Sequence, residues 1–149
     1  MRFLSLIPLL FLFIACGSNT PKNIEKNIDQ LIDQDEYEKA ISILEDADSS
    51  KTTADLKLLR EKVHLNYGMH LEYRGEGEMG MRERMTGALQ QFIETLKINP
   101  NNQKARSEIN QIMSIYATMP KSPGKDIKKE LQKLGFSFEH ETSSVKRQK

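Results

Sequence analysis

One cysteine, no tryptophan and an aromatic share of 7% are what the 149-residue sequence has least of. A lone cysteine excludes an intramolecular disulfide, so the fold has to rest on apolar packing alone. Few aromatics disfavour a β-sandwich, whose strands draw on aromatic and β-branched residues, while Leu, Ile, Met, Glu and Lys are plentiful and favour helix. An excess of either charge is missing as well. With 22 basic and 21 acidic residues the net charge is +1, which leaves no global field to gather nucleic acid, and no nucleic-acid partner is expected. The charge is uneven along the chain: residues 22–61 hold 6 basic and 11 acidic side chains, whereas residues 121–149 hold 8 basic and 4 acidic. At 38% hydrophobic and 29% charged, the composition is that of one soluble globular domain.

Met1-Arg2 is followed by an apolar run over residues 3–14. That is the length of a secretory core and short of the roughly 20 residues a spanning helix needs, so it reads as a targeting segment and not as part of the fold. The run closes in Phe13-Ile14-Ala15-Cys16, which resembles the lipobox of bacterial lipoproteins, with Phe13 standing where Leu is usual. The resemblance implies that residues 1–15 are a signal peptide and that Cys16 becomes the lipid-bearing first residue of the mature chain. Each buried acyl methylene contributes about 0.8 kcal/mol, so two or three chains hold a protein on a membrane essentially permanently. A plain secretory signal with a chance cysteine, or an uncleaved anchor, are the alternatives. Gly17-Ser18-Asn19-Thr20 then forms a flexible tether. No Asp follows Cys16, which in families sorted by that residue implies the outer membrane, facing the periplasm.

Behind the tether, apolar residues recur with helical spacing. Ile24, Ile28, Leu31 and Ile32 predict a first helix over Pro21–Asp33. Asp35 is placed to cap a second, with Glu38 reaching back to the cap, and Tyr37, Ala40, Ile41, Leu44 and Ala47 form its buried stripe. Residues 49–53 break the pattern before a third helix carrying Leu56, Leu59, Val63, Tyr67 and Leu71. Three glycines in residues 74–81 make a loop, because each weakens a helix by about 1 kcal/mol relative to Ala. Met85, Ala88, Leu89, Phe92, Ile93 and Leu96 define a fourth helix, which Asn99-Pro100 ends. Ala105, Ile109, Ile112, Met113 and Tyr116 define a fifth. After Pro123-Gly124 a short sixth carries Ile127, Leu131 and Leu134 and closes at Gly135. An all-α fold of about six helices is predicted, followed by a frayed basic tail over residues 139–149.

Helix pairs joined by short turns invite comparison with repeat families. Residues 21–47 resemble a tetratricopeptide repeat, with an apolar first helix, a turn, then Tyr37, the small Ala40, Leu44 and Ala47. Tyr67-Gly68, Leu71, Ala88, Phe92 and Pro100 resemble a second copy, and Gln103-Lys104-Ala105 opens a third first helix. The resemblance spans roughly residues 21–116. It implies antiparallel pairs stacked as a short solenoid over residues 21–120, capped by a terminal helix within 121–138. Ala40 and Ala88 lie 48 residues apart, against about 34 in a regular array. The surplus falls in the connector at 49–53 and the loop at 75–81. Small residues at Ala40, Gly68 and Ala88 let helices approach closely. An unrelated antiparallel bundle would carry a similar pattern.

Such stacks line a concave surface with the first helix of each pair. On this sequence the resemblance implies Glu25 and Asp29 from the first repeat, Leu65, Met69, Glu72 and Tyr73 from the second, and Ser107, Gln111 and Ser114 from the third. A groove of that kind favours a basic or amphipathic protein segment, with Met69 and Tyr73 as apolar anchors.

Signs of chemistry are sparse. A nucleophile needs a base within reach, and a lipidated Cys16 leaves no thiol. There is no Gly-x-Ser-x-Gly and no His-Glu-x-x-His. His64 and His70, six apart on one helix, point to different faces, without the ligand spacing of a metal site. Glu25 and Asp29 read as solvated charge rather than a catalytic pair. Residues 75–81 lack the preceding strand and closing Lys-Ser/Thr of a phosphate loop; they read as an insertion, or as a Met-bearing loop that adapts to an apolar partner. No enzyme activity, metal or cofactor is expected. The functional expectation is a membrane-anchored, periplasm-facing scaffold that binds a protein or peptide, the alternative being a structural subunit of an envelope assembly.

Overall fold

The computed structural model describes residues 21–48, 53–74 and 80–137. The expected signal segment, Cys16 and the tether lie outside the described residues, as do most of the loop at 75–81 and the basic tail. Periodic apolar positions produce six helices in the order α1 (Pro21–Asp33), α2 (Tyr37–Asp48), α3 (Ala54–Tyr73), α4 (Met81–Ile98), α5 (Gln103–Ala117) and α6 (Lys125–Lys133), and no strand occurs among the described residues. The fold is all-α, with each helix where its apolar spacing predicts it.

Local chemistry sets the helix ends. Thr53 caps α3, its hydroxyl oxygen accepting from the Leu56 N–H at 3.3 Å, and Asn102 caps α5, its Oδ1 accepting from the Ala105 N–H at 2.9 Å. α1 ends in a Schellman turn, with the Glu36 N–H reaching the Leu31 carbonyl at 2.9 Å and the Asp35 N–H reaching that of Ile32 at 3.1 Å. Asp35 sits at its left-handed position, φ 58°. This corrects the expected capping of α2. A left-handed residue closes the helix before it and cannot take the extended geometry of an N-cap, and the Glu38 carboxylate accepts from the Tyr67 hydroxyl instead of reaching back. α6 closes in the same way at Gly135, φ 85°. The glycine-rich loop is shorter at its far end than expected: Gly80 is the N-cap of α4 and Met81 is already helical.

The buried apolar residues form two clusters that meet on α3. One gathers Ile28 and Leu31 of α1, Ala40 and Leu44 of α2, and Leu56, Leu59 and Val63 from the first half of α3. The other takes its buried residues from α4, α5 and α6, with Leu65, Met69 and Leu71 of α3 packed against it. α3 therefore contacts α1, α2 and α4, while α4 contacts α3, α5 and α6. Gly68 marks the closest approach. A Cβ built there would lie 2.6 Å from the Phe92 ring, so α3 and α4 come together because position 68 has no side chain. Ala40 and Ala88 are fully buried, as expected of small contact residues. The Tyr37 and Tyr67 rings stack at 4.9 Å and 5°, joining the start of α2 to the middle of α3.

Candidate functional site

Lys104, Glu108 and Gln111 fall at i, i+4 and i+7 on α5 and form a stripe facing the last turn of α3. The Tyr73 hydroxyl donates to Glu108 Oε2 at 2.6 Å, and Gln111 Nε2 donates both to Glu72 Oε1 at 3.0 Å and to the Tyr73 oxygen at 2.9 Å. Lys104 forms an ion pair with Glu108. Glu108 is buried, whereas Tyr73 is 55% exposed. α3 thus ends in an exposed aromatic residue held by its hydroxyl.

The two carboxylates titrate apart. Burial, then the Glu108 charge and a hydrogen bond with Glu108, push Glu72 up to about 7, against the weaker pull of Gln111 and Lys104. Burial also works against ionised Glu108, but hydrogen bonds from Lys104 and Tyr73 outweigh it and hold that carboxyl below the usual range. Glu72 Oε2 has no donor among the described groups. A proton on Glu72 removes one of the two charges, so below about pH 7 the pair carries one negative charge rather than two. The bond to Glu108, and secondarily burial, raise the Tyr73 phenol.

Of the residues expected on a concave surface, the structure brings together Glu72, Tyr73 and Gln111. Leu65 and Met69 lie half-buried on the same helix, packed against the second core cluster rather than fully presented. Asp29 is paired with Lys62 of α3 at 2.7 Å, and Glu25 is exposed on α1. Ser107 and Ser114 are exposed on a neighbouring stripe of α5, where the Ser114 hydroxyl donates to the Asn110 carbonyl at 2.8 Å. Sequence reasoning missed Glu108. The signal was present: Ala105, Glu108, Ile109, Ile112 and Tyr116 are the buried stripe of α5, and a carboxylate at an apolar-facing position needs partners.

The histidines face apart. His64 Nδ1 lies 2.7 Å from Gln91 Oε1 of α4. His70 lies beside the Tyr37 ring with Nδ1 3.1 Å from Asp35 Oδ1, within ion-pair distance but outside hydrogen-bond alignment. Burial, then the bond to Asp35, raise the Tyr37 phenol to about 12; burial and Glu38 do the same for Tyr67. Among the described residues no group of three or more His, Cys, Asp or Glu is placed to hold a metal ion, and no helix is long and apolar enough to cross a membrane. Comparison with protein-family models, curated proteins and solved structures found no match for the chain.

Proposed function

We propose that the protein is a membrane-anchored, periplasm-facing lipoprotein whose tetratricopeptide-like helix pairs form a non-catalytic scaffold, binding a basic or amphipathic protein segment at the junction of α3 and α5. The observation that carries this reading is Tyr73, exposed yet tied through its hydroxyl to Glu108 and Gln111. An aromatic side chain already fixed in place gives up little freedom on binding, which is the property of an interface anchor. Met81, which opens α4, is exposed as well, at 51%. Stacking of repeats is supported by the contacts of α3 with both α1 and α2 and of α4 with α6, the pattern that arises when each helix pair packs on the next. Anchorage rests on the lipobox resemblance at Cys16.

Glu72 supplies the selectivity for a cation. An arriving Lys or Arg beside the Glu72 and Glu108 pair favours the ionised form of Glu72 and displaces the proton. Binding therefore tightens as pH rises through about 7. Titration of the lipid-free mature chain with a basic amphipathic peptide, on either side of that pH, is the test. Saturable binding that strengthens at the higher pH and is lost in Tyr73→Ala supports the scaffold. Equal binding of a peptide with Glu in place of Lys would sink it, and lasting co-purification with one envelope complex would point to a structural subunit.

A further inference from the structure

Next to the stripe that faces α3, α5 carries a second one. Asn110, Met113, Ser114 and Ala117 fall at i, i+3, i+4 and i+7 and line one side of an open cleft of about 940 Å³. That volume lies at the upper end of the roughly 300–1,000 Å³ of ligand sites. The connection from α5 to α6 forms the facing wall with Met119 and Pro120, and the start of α4 closes one end. The charges there are of one sign: Arg82, Lys121 and Lys128 line the cleft, and no carboxylate among the described residues does.

The cleft is held open by its own contacts. Arg82 donates through both terminal nitrogens to the carbonyls of Lys121 and Ser122, and its guanidinium lies 5.6 Å from the centre of the Tyr116 ring. The Tyr116 hydroxyl is bonded in turn to Thr86 at 2.8 Å and to the Arg82 carbonyl at 3.1 Å. These bonds pin the α5–α6 connection to α4, so a ligand meets a preformed wall. Met113 and Met119 give that wall adaptable apolar surface.

We propose that this cleft docks an acidic peptide segment, with an apolar side chain seated among Met113, Met119 and Pro120 and flanking carboxylates set against Lys121 and Lys128. The charge complementarity is with a partner opposite in sign to the one proposed for Tyr73 and Glu72. Asn110 and Ser137 also line the cleft. Their polar groups pair with a peptide backbone, whereas an acyl chain of an anionic lipid would cover them without replacing water. The two proposed faces lie on adjoining stripes of α5 and prefer opposite charge, so the protein can bridge two partners.

Fluorescence anisotropy on the full mature chain tests this with three probes: a labelled peptide bearing glutamates around a Leu-Phe pair, its lysine counterpart, and phosphatidylglycerol vesicles. The acidic peptide is expected to saturate, to weaken with added salt, and to bind at least about tenfold more weakly to the double variant Lys121→Glu, Lys128→Glu. Lys39→Glu, an exposed change of the same sign on α2, leaves binding unchanged. The milder pair Lys121→Gln, Lys128→Gln, checked for unchanged helix content, separates lost docking from lost folding. Equal binding of both peptides, or indifference to charge reversal, would overturn the proposal. Binding of the vesicles but not the peptide would overturn it too, by assigning the cleft to lipid.

Discussion

At Gly68 two effects oppose each other, and their magnitudes decide the outcome. Replacing a helical Gly by Ala gains about 1 kcal/mol of helix propensity. Overpacking a filled core costs about 1–3 kcal/mol. Phe92 is fully buried, its ring atoms stand at 2.6–2.9 Å from the new Cβ, and a rigid ring cannot swing clear as a long aliphatic chain would. Gly68→Ala is therefore expected to lower the unfolding free energy by up to about 2 kcal/mol in a denaturant titration. Adding Phe92→Leu should recover part of that loss, a non-additivity that marks direct contact. Glu72 carries the second prediction at this scale. Its folded pKa of about 7 exceeds the ordinary 4.5, so the stability it contributes is complete below about pH 4.5 and is lost as pH rises through about 7. Glu108, held low, contributes in the opposite sense: its share is complete above the ordinary value and disappears as pH falls through its lower folded one. Glu72→Gln keeps the neutral hydrogen-bonding pattern at every pH. Allowing for solvent screening of a partly exposed group, the variant should be more stable by about 1 kcal/mol above pH 7, with no gain below pH 4.5. A melting series across that window measures it.

Among the elements, the turn between α4 and α5 shows how a cap does two jobs. Asn102 Oδ1 accepts from the Ala105 N–H, while its Nδ2 and that of Asn99 both donate to Glu61 Oε1 on α3 at 2.7 Å. Asp is as good a cap as Asn. Asn102→Asp nevertheless replaces a donor to Glu61 with a second carboxylate at hydrogen-bond distance, so a loss of stability is expected at neutral pH that shrinks in acid as the new pair is protonated. Asn102→Ala loses the cap at any pH, about 1 kcal/mol. A pH-dependent difference between the two variants distinguishes the interhelix contact from the cap. Element positions were legible in the sequence because apolar spacing and breakers are local: Thr53, Asn99-Pro100 and Pro123-Gly124 mark ends that the backbone confirms. The cap of α2 was not. Asp at position 35 serves either a helix start or a left-handed helix end, and only the packing of Tyr37 against Tyr67 and His70 selects the second.

At the scale of the whole molecule the two core clusters predict unequal local stability. Among the described residues the cluster of α1, α2 and early α3 has 7 buried residues, against 12 in the cluster built on α4, α5 and α6. Amide exchange should therefore be faster in α1 and α2 than in α4 and α5 at neutral pH, since regions with less buried apolar surface open at lower free energy. Uniform protection would mean that α3 couples the clusters into one unit. The candidate site was half legible. Glu72, Tyr73 and Gln111 were expected on one surface and do meet; Glu108, which organises them, is marked in the sequence only by its place on the apolar stripe of α5, and its partners come from α3 through the fold. The cleft beside α6 was invisible in the sequence, because its lining is contributed by three helices and a connection whose juxtaposition only the fold provides.

The most direct measurement is photocrosslinking in membranes of the native host with a photoreactive residue in place of Tyr73, followed by mass spectrometry of the adducts. One discrete protein adduct is expected in the membrane fraction, lost when Met69 and Glu72 are changed and when Cys16→Ala removes the proposed lipid. Capture only from residues 75–79 or from the basic tail, with none from position 73, would contradict it.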